Sequence, residues 1–335
     1  MRLGLTKALG VVIGDLMIDE YVVGEVKRIS PEAPIPVLEN SSTHREAGGS
    51  ANVAMNLRGL GCQCAVFGVV GDDEPGQWLK EYLSSNGIDI RGIIVDKARP
   101  TTRKIRYGTT RQVILRVDYE DRAVTTANFE TWKHFLDSHD VQMVLVSDYN
   151  KGILRSIEVE NSLWNSLRQL TASGTLTVAD TKRKGLALGI FEDFTLVKPN
   201  LSELELAVDI KVDNEAALDR AAAAYLAATR AQGVLVTLGD EGMYYRSSQG
   251  MHLRVPTVSA DVYDVTGAGD TVLAVLALAL HNRLTMDAAM RLANIAASVV
   301  ISRRGTTHIS SAELERRVED VRLAEPSYFV QASGH

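Results

Sequence analysis

Short, uniformly apolar segments recur along this chain. Each ends in small or polar residues, and stretches of helical spacing lie between them. ALGVVIGD (8–15), CAVFGVVGDD (64–73), VQMVLVSDY (141–149), GTLTVAD (174–180), FTLVKPN (194–200) and GVLVTLGDEG (233–242) all follow this pattern. A strand that is apolar on both of its faces needs cover on both sides. GSANVAMNLRGLG (49–61) places Val53, Leu57 and Leu60 at helical spacing and stops at Gly61, and PGQWLKEYLSSNG (75–87) also closes on glycine. The expected fold class is therefore α/β, a central, mostly parallel sheet with helices on both faces. In such folds ligands gather beyond the carboxyl ends of the strands, where Asp15, Asp148, Asp180, Asn200 and Gly239 fall.

Two stretches break this rhythm. Residues 17–45 carry Pro31, Pro34 and Pro36 without helical period, and residues 101–120 alternate like a hairpin around Tyr107-Gly108-Thr109-Thr110. They are expected to form a small β lid over the strand ends. The expected domains are an α/β core of residues 1–16, 46–97 and 121–330, and a lid of residues 17–45 and 98–120. Tyr21, Val22, Val23, Ile35 and Val37 are apolar for an exposed lid. A second copy of the chain is expected to cover them, which makes a homodimer the expected state.

A net charge of −6 over 335 residues argues against nucleic acid as the main partner. The longest pure apolar run, Val272 to Leu280, is far short of a bilayer span, and the leading MRLGLTK lacks a signal-peptide profile. The expected location is cytoplasmic, with no membrane partner. Cys62 and Cys64 read as packing thiols in a reducing compartment, and the seven histidines form no metal spacing.

DVTGAGD (264–270) precedes an apolar run that reads as a helix. Free N–H groups at a helix start, with the helix dipole behind them, form an anion site. Asp270 falls within one turn of it and is placed to accept a proton from an attacking hydroxyl. An acid at a helix start is equally a common cap, and these seven residues alone do not choose between the two. A dinucleotide fingerprint fails because Val272 stands at its third glycine. The chain has no Gly-Lys pair for a Walker A loop, and no His-Arg-Asp or Asp-Phe-Gly of a protein kinase.

DVTGAGD resembles the C-terminal signature of the ribokinase-like, or PfkB, sugar kinases. AGGSANVAMNLRGLG (47–61) resembles their N-terminal signature, KPNLSELE (198–205) their Asn-x-x-Glu motif, and VTLGDEG (236–242) their nucleotide-side strand end. GDLMIDEYVVGEVKRISPEAPIPVLE (14–39), SDYNKGIL (147–154) and NIAASVVISRRGT (294–306) are similar to the heptose-7-phosphate kinases of lipopolysaccharide synthesis. The resemblance implies a ribokinase-like fold. It also implies ATP- and Mg²⁺-dependent phosphorylation of the anomeric hydroxyl of D-glycero-β-D-manno-heptose 7-phosphate, a step towards ADP-heptose. It leaves room for a monovalent cation. Many relatives carry a nucleotidyltransferase domain with an H-x-G-H-type motif. This chain has no such motif, so a kinase without that second activity is expected. ADTKRKG (179–185) departs from the usual Asp-Pro-Lys, which leaves the role of Lys182 open.

Carried onto this chain, the resemblance makes Asp270 the general base, and Gly267, Ala268 and Gly269 the anion hole. Asp15, Gly48, Gly49, Asn52 and Asp148 become sugar-binding residues. Asp19 is set aside as facing solvent in the lid, and the bland reading of Asn52 is a locally satisfied amide. Asn200, Glu203, Thr237, Gly239, Gly242 and Asn294 fall on the nucleotide side, with Glu203 holding Mg²⁺ through water. Asn-x-x-Glu is also a capping box, and both roles can hold together. The substrate's own phosphate needs cations. Lys104, Arg106, Lys151 and Lys184 are candidates, with Arg111, Arg116, Lys182 and Arg183 as rivals, although exposed charges usually only solvate a surface. The competing functions are a ribokinase- or fructokinase-type kinase of an unphosphorylated sugar, a non-catalytic sugar-binding protein on the same fold, and a nicotinamide dehydrogenase.

Overall fold

Val11 and Ile13 of the first strand pack on one face of the central sheet, and Val12 packs on the other; all three are fully buried. The same division runs through the neighbouring strands, with Phe67 and Val146 on the first face and Val66 and Leu145 on the second. Two apolar cores thus sandwich the sheet, which explains the lack of alternation in its strands. The computed structural model describes residues 8–125, 129–155 and 163–329. The segment MRLGLTK and the expected core boundary at 330 lie outside them.

The main sheet contains β1 (Leu9–Gly14), β4 (Gln63–Gly71), β5 (Asp89–Asp96), β8 (Met143–Asp148), β9 (Leu176–Thr181), β10 (Leu196–Val197), β11 (Gly233–Thr237), β12 (Met243–Ser247) and β13 (His252–Val255). Its order is β13-β12-β11-β10-β9-β8-β1-β4-β5. Every pairing from β5 to β11 is parallel, and β12 and β13 add an antiparallel edge. Helices cover the two faces. They include α1 (Ser50–Gly59), α2 (Glu74–Ser85), α3 (Glu130–Ser138), α4 (Trp164–Ala172), α5 (Leu201–Val208), α6 (Glu215–Thr229), α7 (Ala268–His281), α8 (Met286–Val300) and α9 (Ser311–Ala324). Cys62 and Cys64 are buried free thiols in one core, as their spacing suggested. Among the described residues, no helix is long and apolar enough to cross a membrane.

From β1 the chain reaches β4 on one side, then returns to β8 on the other. The strand order therefore reverses between β1 and β8, and parallel sheets open a ligand crevice at such a switch point. Asp15 follows β1 and Asp148 ends β8, and the Asp15 N–H donates to the Ser147 carbonyl at 3.1 Å.

A second sheet, ordered β3-β2-β6-β7, is built from β2 (Leu16–Ile29), β3 (Pro36–Gly49), β6 (Thr102–Gly108) and β7 (Val113–Tyr119). Asp19 pairs with Lys104 and Tyr21 with Arg106 across β2 and β6, so alternate residues of the two strands share one face. Its apolar exposure differs from expectation. Tyr21 is buried, with the Arg106 guanidinium 5.2 Å from its ring, and Val22, Val23 and Val37 are half-buried. Ile35 is exposed as anticipated, but the main exposed apolar side chains are Val113, Ile114, Leu115 and Tyr119 of β7, an edge strand.

Candidate active site

The loop into α7 turns left-handed at Gly267, with φ at 79°. A Cβ there would stand 2.8 Å from Asn52 Nδ2, so both the backbone and the neighbour demand glycine. The Ala268 N–H returns to the Val265 carbonyl at 3.2 Å. The N–H groups of Gly267, Gly269 and Asp270 have no hydrogen-bond partner among the described residues. Those three, at the positive end of a buried helix, make a cradle of the kind that suits an anion. This corrects the expected set: the turn itself holds the Ala268 N–H, and that of Asp270 stands free instead.

Asp270 is buried and does not cap the helix; Gly267 occupies the cap position without any side-chain bond. Asn52 Nδ2 donates to Asp270 Oδ2 at 3.0 Å, and the Tyr149 hydroxyl donates to Oδ1 at 3.1 Å. Burial pushes the Asp270 carboxyl up to about 7, with Asp180 adding to the rise; the Asn52 and Tyr149 bonds and the Lys198 charge oppose it. A carboxylate poised near neutrality suits a general base. Asn52 is thus held both locally, its Oδ1 accepting from Asn56 Nδ2 at 3.3 Å, and across the fold, one of its amide N–H groups donating to Asp270.

Lys198 was not singled out by the sequence reading, yet it belongs here. It is almost fully buried and pairs with Asp180 at 2.6 Å. A Cβ built on Gly269 would lie 3.5 Å from its Nζ, so the ammonium stands beside the cradle. Asp180 and Glu203 hold its proton tightly against the cost of burial. A lysine at the end of an otherwise apolar strand was the available signal.

Asp15 is buried, with one oxygen accepting from the Lys151 N–H at 3.3 Å and Oδ1 left without a partner. Burial, then repulsion from Asp148, raises its pKa well above the usual carboxylate range. A hydroxyl donor would complete it. Asp148 differs. It accepts from Arg183 Nε at 2.5 Å, the Thr181 hydroxyl at 3.1 Å and the Asn150 N–H at 2.9 Å, so both of its oxygens are engaged internally. Gly48 and Gly49 have a reason beyond sugar packing. Cβ atoms there would fall 2.5 Å from Asp19 Oδ2 and 2.5 Å from the Asp15 carbonyl oxygen, respectively. Asp19 does not face solvent: it is buried and accepts from Arg106 at 2.6 Å and the Thr306 hydroxyl at 2.8 Å.

The cations separate sharply. Arg106 is tied to Asp19, Lys151 to Glu120, Arg183 to Asp148 and Arg116 to Asp118, while Lys184 and Arg111 are exposed. Lys104 is half-buried and makes no hydrogen bond or ion pair among the described residues. Its Nζ lies 5.1 Å from the Tyr149 ring centroid, and that of Lys182 lies 4.7 Å away. Burial lowers its pKa against the pull of Asp19, and Lys182, Lys151 and Arg106 lower it further.

On the other side of the cradle opens a cavity of ≈ 700 Å³, whose wall includes Gly269, Lys198, Glu203, Thr237, Gly242 and Asn294. Asn200 and Gly239 line it as well. Asn200 and Glu203 form a reciprocal capping box on α5. Asn294 donates to the Pro256 carbonyl at 3.0 Å, steadying the cavity wall with its amide. Burial raises the Glu203 carboxyl, and the negative charge of Asp180 adds to this. Among the described residues, no three His, Cys, Asp or Glu side chains form a metal cage. One or two carboxylates facing a phosphate pocket are the donor set Mg²⁺ takes together with phosphate oxygens and water.

Residues 7–313 match the model of the pfkB family of carbohydrate kinases. The chain belongs to that family. It is a carbohydrate kinase of ribokinase-like fold. The kinase is 39% identical over 308 residues to the bifunctional protein HldE of Geotalea uraniireducens, covering 90% of this chain and 61% of that protein. It is 38% identical over 315 residues to HldE of Rhodopseudomonas palustris, covering 92% and 63%. The chain therefore spans less than two thirds of the length of these relatives. Among solved structures it resembles the Arabidopsis thaliana ribokinase complexed with ribose and ATP, at a TM-score of 0.75, 19% identity and coverage of 94% and 99%. It also resembles phosphofructokinase-2 of Escherichia coli in complex with potassium, at a TM-score of 0.71, 17% identity and coverage of 94% and 99%. Family membership disposes of the dehydrogenase reading.

Proposed function

We propose that this kinase phosphorylates the anomeric hydroxyl of D-glycero-β-D-manno-heptose 7-phosphate, with ATP as donor, and yields the 1,7-bisphosphate. The observation that carries this reading is Lys104. A half-buried lid ammonium with no carboxylate of its own, crowded by Lys182, Lys151 and Arg106, suits a substrate that brings negative charge with it. The similarity of RISPEAPIPVLE to heptose-7-phosphate kinases and the identity to proteins named HldE support the same choice.

In this reading the sugar lies between Asp15 and the lid, and its phosphate meets Lys104, with Lys182 and Arg106 near. Asp15 Oδ1 accepts a sugar hydroxyl. Asp270 takes the proton of the anomeric hydroxyl as that oxygen bonds to the γ-phosphorus. The bond from the γ-phosphorus to the bridging oxygen breaks, and ADP leaves. The N–H groups of Gly267, Gly269 and Asp270, with Lys198, hold the charge on the phosphoryl group in transfer. Asp180 and Glu203 are the residues that would hold Mg²⁺, which neutralises phosphate charge when bound. The homodimer remains part of the proposal, now resting on the exposed face of β7.

A coupled ADP-release assay across sugars tests the reading. Turnover is expected with heptose 7-phosphate and not with ribose, fructose or unphosphorylated heptose. Activity confined to an unphosphorylated sugar would replace it with the ribokinase- or fructokinase-type alternative. Binding of sugar without ADP release from any of them would favour the non-catalytic one.

A further inference from the structure

We propose that Tyr149 is a positioning residue that aims the Asp270 carboxylate and ties it to the lid. This rests on Asp270 being the base of the proposed reaction. Asp270 is held by two donors, one on each oxygen: Asn52 on Oδ2 and Tyr149 on Oδ1. Two such bonds fix the carboxylate plane and leave each oxygen a lone pair, so one still faces the acceptor hydroxyl. Asn52 sits on α1, which packs directly on α7. Tyr149 is different. It follows β8 at the strand switch, and its ring meets Lys104 from the lid strand β6 and Lys182 from the loop after β9. The two ammonium groups favour the ring face electrostatically. The position of the hydroxyl at the base therefore depends on where the lid places Lys104.

The surroundings allow this influence to be read separately. Asp270 faces Asp180 and Lys198 besides its two donors, and Tyr149 faces Asp19, Asp180, Lys104 and Lys182 besides Asp270. None of these groups is removed when the phenol oxygen alone is deleted. A donated hydrogen bond favours the ionised carboxylate, so its loss makes Asp270 harder to deprotonate. Burial and the nearby acids hold the phenol itself well above its ordinary value, so it stays a donor across the working range.

The test is the pH profile of kcat/KM, which reports the free enzyme's base. Tyr149→Phe keeps the ring for both lysines and removes only the donor. Its acidic limb is expected to move up by about one pH unit, the size of a hydrogen bond to a charged group. The KM for ATP should stay within about twofold, since the ring of Tyr149, which lines the cavity with Thr237 and Asn294, is kept and only its oxygen is removed. Replacing Tyr149 by 3-fluorotyrosine, a stronger donor of nearly the same shape, should move the limb down, and it serves if the phenylalanine variant does not fold. Unmoved limbs in both variants, or a Tyr149→Phe enzyme faster than the parent at every pH, would overturn the inference and reduce Tyr149 to packing or to a plug. A parent enzyme with no acidic limb near neutrality would instead count against Asp270 as the base.

Discussion

Asn52 and Asp270 stand 218 positions apart in the chain, yet the amide of one donates to the carboxylate of the other at 3.0 Å inside the protein. This single bond joins the two signature segments of the sequence. It also explains Gly267, whose missing Cβ makes room for the amide. Asn52→Ala removes the bond and leaves the carboxylate less stabilised when charged. The acidic limb of kcat/KM is expected to rise by about one pH unit, with a smaller loss of rate at high pH. A pH–rate profile of the variant checks it. An unmoved limb would mean that the amide serves only to pack α1 on α7.

Asp270 carries a cost in stability with a defined sign. Its pKa is about 7 in the folded protein and an ordinary carboxylate value of about 3.9 in the unfolded chain. The folded state therefore binds the proton more tightly. The protonated group's contribution is fully present below about pH 4 and is lost as pH rises towards 7. Asp270→Asn removes that loss while preserving shape. Thermal unfolding at pH 8 should show the variant more stable than the parent, by about 2–4 °C for each kcal/mol recovered, with the difference vanishing near pH 4. Turnover should fall by about 10²–10⁴-fold while ATP still binds. A variant less stable at pH 8, or one retaining near-normal turnover, contradicts this account of the site.

Lys198 is held by the register of two strands. Leu196 pairs with Val178 and Val197 with Ala179, so position 198 comes next to Asp180. Removing one partner of a buried ion pair leaves the other charge uncompensated, a loss of about 3–5 kcal/mol. Lys198→Met is expected to lower the melting temperature and to cut kcat by about 10²–10³-fold through loss of charge stabilisation at the cradle. Adding Asp180→Asn should recover much of the stability and none of the rate. If the double variant regained activity, the lysine would be a structural partner of Asp180 and nothing more.

The sheet was legible because both of its faces are covered: Val11, Val12 and Ile13 are buried alike and leave an uninterrupted apolar run. The edge strands β12 and β13 were not, since their chemistry mixes Tyr244 and Tyr245 with Arg246, His252 and Arg254 and gives neither a continuous run nor clear alternation. The expected strand at 194–200 shrinks to Leu196–Val197, partly because Pro199 has no N–H for a ladder. In the site, the cradle and its acid were visible because they lie within seven consecutive residues. The use of Asn52 by Asp270, of Asp148 by Arg183 and of Asp19 by Arg106 was not, because each pairing depends on packing between distant elements. Lys104 and Arg106 could be placed on one face by alternation. Which of them kept a free charge depended on where the carboxylates settled.

Gly48 lies where the lid strand β3 runs into α1, opposite Met17 of β2. A Cβ there would meet Asp19 Oδ2 at 2.5 Å and the Met17 side chain at 3.0 Å. Asp19 has nowhere to retreat, because its two oxygens are held by Arg106 and Thr306. Gly48→Ala must therefore push the carboxylate off its partners or move the lid away from the core. Either way Arg106 loses its counter-charge and the lid cations on the proposed sugar side are rearranged, whereas Gly48, Asp19, Lys104 and Arg106 do not line the cavity bordered by Thr237 and Asn294. The expected outcome is a rise in KM for the sugar substrate of about tenfold or more, with the KM for ATP changed by less than about twofold. Steady-state kinetics with each substrate varied in turn measures both. An equal rise in the two would show that the lid position also governs the nucleotide side, and a change in neither would show that β2 absorbs the methyl group without disturbing Asp19.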